Sequence, residues 1–150
     1  MNMNVSKDFV TAGKAIFTIS HNGKHFTFRV AKKAPTTRFP RPAYFVSWQG
    51  GEGVGRGRFV YIGMLDIETG LIKLTKNSQV KPGDLPLVVA QWVLSVLWSG
   101  KAFPPGALLQ HVGKCGRCGL KLTDPVSIAC GIGPDCREIM GIKVDRKVAA

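Results

Sequence analysis

Carboxylates are scarce in this chain. Its 9 Asp and Glu stand against 21 Lys and Arg, for a formal net charge of +12 and a pI near 10.0. The acids are also scattered, so no pair is placed for general acid and base work. Asp66 and Glu68, two apart across a turn, are expected to serve turn polarity. No H-x-E or H-E-x-x-H pattern surrounds the histidines, which removes the common signatures of zinc deaminases and hydrolases. The glycine-rich residues 50–58 lack the G-x4-G-K-[ST] spacing, and they fail G-x-G-x-x-G because Arg56 stands where the third glycine belongs. No apolar run reaches the roughly 18 to 20 residues that cross a bilayer, Leu85 to Trp98 being the longest. The first ten residues show no basic segment followed by an apolar one, so no secretory signal is expected. These absences argue against an enzyme and against a membrane protein. They favour a cytoplasmic binding protein with a polyanionic partner.

Cysteine is absent up to residue 114, and then all four cysteines fall between Cys115 and Cys136. In a compartment where disulfides are rare, such clustering points to metal. Zn2+ is the ion that thiolate and imidazole ligands suit best. Cys115-Gly-Arg-Cys118-Gly119 has the form of a zinc knuckle, with two residues between ligands and glycines that permit the tight turn. In Gly133-Pro134-Asp135-Cys136, proline at a first helical position starts a short helix. Cys136 then lies in its first turn, where the helix dipole is expected to depress the thiol pKa. The fourth ligand is open. Cys130 completes C-x2-C-x11-C-x5-C, and His111 completes H-x3-C-x2-C-x17-C. A redox C-x2-C pair is disfavoured, because Cys118 precedes a glycine and a strand-like LKLT outside any βαβ setting.

Ahead of this module the pattern is that of strands. Ala15, Phe17 and Ile19 alternate with polar residues, Phe26, Phe28 and Val30 do the same, and Asn22-Gly23 between them is a hairpin turn. Ile16 does not fit the alternation, and His21 and His25 flank the turn at exposed positions. Ala43 to Trp48 is a third strand, and Phe59 to Asp66 with Leu71 to Thr75 a second hairpin. Asp84 as N-cap, Pro86 in the first turn and Gly100 as stop delimit a helix ending at Ser99. Its polar residues, Gln91, Ser95 and Ser99, form one narrow stripe, so it is expected to be enclosed on most sides. Its tryptophans read as core.

CGRCG, LTDPVSI and GIGPDC resemble an uncharacterised family of small cysteine-containing domains frequent in bacteriophage and bacterial genomes. FVTAGKAIFTI, FVSW, VYIGMLDIETG and LTKNS extend the resemblance into the N-terminal half. The family brings no activity with it. The resemblance implies that the position of Cys130 is often not cysteine and that a histidine shortly precedes the first cysteine, which favours His111 as fourth ligand. It also implies the host cytoplasm as the setting.

The sequence therefore predicts an α+β protein. Residues 1–106 form an antiparallel sheet of about five strands covered by one buried helix, and residues 107–150 a treble-clef-like or ribbon-like zinc module with a basic tail. The metal ligands are Cys115, Cys118, Cys136 and His111, with Cys130 as alternative. Nucleic acid, DNA or RNA, is the expected partner, met largely through phosphate contacts. Its contacts would come from the proline-broken segment (Lys32, Lys33, Arg38, Arg41), the RGR loop (Arg56, Arg58) and the module (Lys114, Arg117, Lys121, Arg137). The proline segment reads equally as a solvated connector, and the RGR loop as a plain hairpin loop. A competing expectation is an interaction module that binds and inhibits or redirects a host or phage enzyme.

Overall fold

The computed structural model describes residues 5–38, 40–49 and 58–142. Among these residues ten elements follow one another: α1 (Lys7–Val10), β1 (Lys14–His21), β2 (Lys24–Lys33), β3 (Ala43–Gln49), β4 (Phe59–Leu65), β5 (Ile72–Lys73), α2 (Leu85–Ser99), β6 (Leu108–His111), α3 (Pro125–Cys130) and α4 (Pro134–Met140). The strands form one six-stranded antiparallel sheet in the order β5-β4-β3-β2-β1-β6. The Asn22-Gly23 turn closes β1 on β2 with φ of 52° and 77° at its two residues, the left-handed pair that a two-residue hairpin requires.

Register decides what each face carries. Phe17, Phe28, Trp48 and Val60 lie in one cross-strand row, and Ala15, Val30, Val46 and Gly63 in the next. Most of these are buried, and α2 joins the same core through Ala90, Val93 and Leu94. The opposite face carries the rows Lys14, Ala31, Phe45, Met64, Lys73 and Ile16, Arg29, Ser47, Tyr61. Ile16 departs from the alternation of its strand because it belongs to this second face. A register shift at Val46/Ser47 sets Ile62 out of step with its partners, and Ile62 is fully buried.

Helix α2 has the bounds expected from its caps, but it is less enclosed. Leu85 and Val88 are about half exposed, since only one side of the helix meets the sheet. The polar stripe is used for docking. Gln91 Oε1 accepts the Ile72 amide at 2.8 Å and Gln91 Nε2 donates to the Gly70 carbonyl at 3.0 Å, so the helix fixes the short edge strand β5. Trp98 Nε1 donates to the Ile67 carbonyl at 2.8 Å, which ties the end of α2 to the β4–β5 turn.

Residues on both sides of the expected 106/107 boundary share one sheet and one core. Beyond it, β6 pairs with β1, setting Phe17 opposite His111. From before it, Phe9 reaches into the cysteine module: a Cβ at Gly116 or Gly131 would stand 2.6 Å from its Cδ2 atom. No helix among the described residues is long and apolar enough to cross a membrane.

Candidate metal centre

The knuckle is a short looped ladder. Leu122 donates to Gly113 at 2.8 Å, Cys115 to Leu120 at 2.7 Å, and Gly119, at φ 82°, to Cys115 at 2.9 Å. Asp124 then caps α3 by accepting the Ser127 amide at 3.0 Å, and Gly131, at φ 78°, ends it. The amide of Gly116 donates to the carbonyl of Gly131 at 2.9 Å, which clamps the knuckle to the end of α3. Gly133 and Pro134 start α4, with Cys136 in its first turn.

This folding brings Cys115, Cys118 and Cys136 together, their sulfurs all within 4.8 Å of one another. Thiolates about 2.3 Å from a tetrahedral ion stand roughly 3.8 Å apart, so the three are close to ligating distance. The amides of Arg117 and Gly133 each donate to Cys115 Sγ at 3.4 Å, and Arg117 Nη1 donates to Cys136 Sγ at 3.6 Å. Such donors offset thiolate charge around a metal. Beside the sulfurs lies a cavity of about 200 Å3, lined also by Lys121, Asp124 and Asp135. The cluster can bind a metal ion.

Burial alone would raise the Cys115 thiol, but amide hydrogen bonds from Gly133, Cys118 and Arg117 outweigh it and bring the pKa down from 9.0 to about 7. Cys136 behaves oppositely to the expectation from its helix position. Burial, together with the neighbouring Cys115 and Cys118, raises its pKa despite the Arg117 hydrogen bond. Helix α4, of 7 residues, does not overcome that desolvation.

His111 and Cys130 are not brought into the cluster. His111 is buried, and Gly113 N–H donates to its Nδ1 at 2.9 Å. Its Nε2 then carries the proton and donates to the Ile128 carbonyl at 2.5 Å. Both ring nitrogens are thus occupied, and the ring packs 5.6 Å from Phe9. His111, expected as a ligand, stands here as a bracket that joins β6 to α3, outside the three-sulfur cluster. Cys130 donates to the carbonyls of Ile132 and Ser127 at 3.3 and 3.8 Å. Arg137 Nη1 reaches Ile132 O at 2.8 Å, Ser127 Oγ at 2.9 Å and Cys130 Sγ at 3.6 Å. Arg117 and Arg137, expected to face phosphates, thus direct guanidinium nitrogens into the module.

The remaining expected cations are spread over the surface. Lys32, Lys33, Arg38, Arg41, Arg58, Lys114 and Lys121 are exposed. Lys32 lies 6.0 Å over the Tyr44 ring on the core side, while Lys33 and Arg41 line an open groove on the opposite face. Arg56 and the basic tail lie outside the described residues. Phe45, Tyr61, Met64 and Lys76, which also line the groove, were missed by motif reasoning. The available signal was strand parity, since Phe45 and Tyr61 alternate with the buried Val46 and Ile62.

Residues 110–141, which hold the whole centre, match the model of a family of unknown function (DUF6011). No curated protein and no solved structure matches the chain. The module is thus similar to an uncharacterised domain, in agreement with that part of the resemblance seen in its sequence.

Proposed function

We propose that this protein is a small basic accessory protein of the phage type that binds nucleic acid largely through phosphate contacts, with Zn2+ held by Cys115, Cys118 and Cys136 as a structural clasp. The carrying observation is the distribution of charge. From Phe9 to Gly51 the chain has no Asp or Glu, yet it carries Lys14, Lys24, Arg29, Lys32, Lys33, Arg38 and Arg41. Much of the sheet is built from this stretch, so the surface around it is cationic over a width that a single ion pair does not explain. The thiols fit Zn2+ by number, proximity and hydrogen bonding. A fourth ligand would reach the ion from the cavity beside the sulfurs.

Mobility shifts over a salt series test the nucleic-acid reading. Binding at about 50 mM salt should fall by orders of magnitude by about 200 mM. No binding at the lower concentration refutes it. A second reading, an interaction module that inhibits or redirects a host or phage enzyme, is favoured by Leu120 and Ile139, which are 71% and 65% exposed on the cysteine module. A stoichiometric protein partner retained after nuclease treatment and lost with Leu120→Ser would favour it over the first.

A further inference from the structure

The open face of the sheet holds a groove of about 910 Å3 whose lining, among the described residues, contains cations and no carboxylate. Phe45, Tyr61 and Met64 lie along its floor, and Lys33, Arg41 and Lys76 belong to its rim. The rings are held in place. Phe45 and Tyr61 meet edge to face at 6.0 Å, and Tyr61 Oη shares a 3.2 Å hydrogen bond with Thr75 Oγ1. Two residues along β4, Phe59 continues the aromatic line, with the Arg29 guanidinium 4.2 Å over its ring. Both rings of the floor are only half buried.

An apolar floor within a cationic rim is a poor site for a folded acidic protein, which would bury its carboxylates against rings. It is also a poor site for duplex nucleic acid, whose bases are stacked on each other. It suits a strand whose bases are free to lie on rings while its phosphates meet lysine and arginine. We infer that this groove is a binding site for single-stranded nucleic acid, with bases stacked on Tyr61 and Phe45 and phosphates held by Lys33, Arg41 and Lys76. The assignment rests on the nucleic-acid reading above and places it on the sheet, away from the metal centre. Stacking on two rings gives little sequence preference, because every base has a π face.

The test uses the full-length protein with fluorescent oligonucleotides of about 20 nucleotides, as oligo(dT), oligo(U) and a mixed-sequence duplex. Wild type should bind at least one single strand more tightly than the duplex. The exposed triple variant Lys33→Gln/Arg41→Gln/Lys76→Gln should flatten the slope of log K against log salt by about 2, at roughly 0.7 per lost phosphate contact. Tyr61→Ala should weaken binding about tenfold or more, with Tyr61→Phe restoring most of the affinity. Because Tyr61→Ala can disturb the sheet, iodouridine crosslinking of the wild-type protein gives an independent readout, with adducts expected on Tyr61 or Phe45. Absence of all nucleic-acid binding by wild type sinks the broader reading and this site with it. Binding by wild type that is equal for duplex, or unchanged in slope by the triple variant, or crosslinked only outside the groove, overturns the site while leaving the broader reading standing.

Discussion

At the scale of single residues, three thiols converge, while Cys130 and His111 make their hydrogen bonds elsewhere. Cys115→Ala, Cys118→Ala and Cys136→Ala should each abolish stoichiometric metal, whereas Cys130→Ala and His111→Ala should retain it. His111→Ala should still cost about 2 to 4 kcal/mol of stability, because it empties a packed site and strands the Gly113 amide and the Ile128 carbonyl. Metal analysis alongside urea unfolding checks both halves, and loss of metal in His111→Ala would return that residue to the ligand set. Cys115 adds a pH signature. Its folded-state pKa of about 7 lies below the ordinary 9.0, so its ionisation favours the fold. That contribution is complete above about pH 9 and is lost as pH falls through about 7. In the metal-free protein the stability advantage over Cys115→Ser should therefore shrink from pH 9 towards pH 7, and thiolate absorbance should show a group near 7 that the variant lacks. An advantage that grows on acidification would contradict the assignment. Of this site, the three thiols were legible because C-x2-C and a helix-borne cysteine follow from local turn chemistry. The role of His111 was not, since its bonds are to residues brought close only by β6 and α3.

At the scale of elements, α2 acts through its polar stripe as much as through its apolar sides. Gln91 supplies the partner for the Ile72 amide and for the Gly70 carbonyl. Gln91→Leu leaves both unpaired and should destabilise by about 1 to 3 kcal/mol. Ser99→Ala, at the exposed end of the same stripe, should stay within about 0.5 kcal/mol. Equal effects in chemical denaturation would show that the stripe is merely solvated. The stripe illustrates where sequence patterning stops. Hairpins, strand parity and helix bounds were readable, because Asn22-Gly23, alternating Phe and Val, and Pro86 with Gly100 act through neighbours in the chain. The destination of Gln91 was not readable, because its partners lie about 20 residues away. Helix α1 and strand β6 escaped for a related reason. Both are very short, 4 residues each, and periodicity needs a longer window. Their stability comes from tertiary partners, Phe9 against the module and Leu108–His111 along β1.

At the scale of the molecule, the cysteine module is continuous with the sheet, and this decides what metal removal should do. Val5, Phe9 and Val10 from the N-terminal segment share a core cluster with Cys115, Leu122, Ile132 and Cys136, and that cluster extends through the strands to α2. Lys14 N donates to Gly116 O at 2.6 Å, so the first residue of β1 is bonded to the knuckle itself. A module joined only by a linker would melt independently on chelation and leave the sheet untouched. Here, loss of a bound ion would leave three close thiols without a common partner, loosen Phe9 and weaken the β1–β6 edge, so the cost would spread into the sheet. With a sensitivity of about 2 to 4 °C per kcal/mol for a chain of this size, a loss of even about 3 kcal/mol lowers Tm by roughly 6 to 12 °C. Calorimetry before and after chelation should show one transition that moves down as a whole, with Zn2+ restoring it in proportion to occupancy. Two resolved transitions, only one of them sensitive to chelator, would show that the shared core does not couple the parts. If the single transition holds, chelation should weaken binding at the groove only as far as it unfolds the protein. Nucleic-acid affinity measured well below the lowered Tm should then be nearly unchanged, because the described residues of the groove come from the end of β2, from β3 and β4 and from the segments beside them, away from the sheet edge where β6 carries the centre.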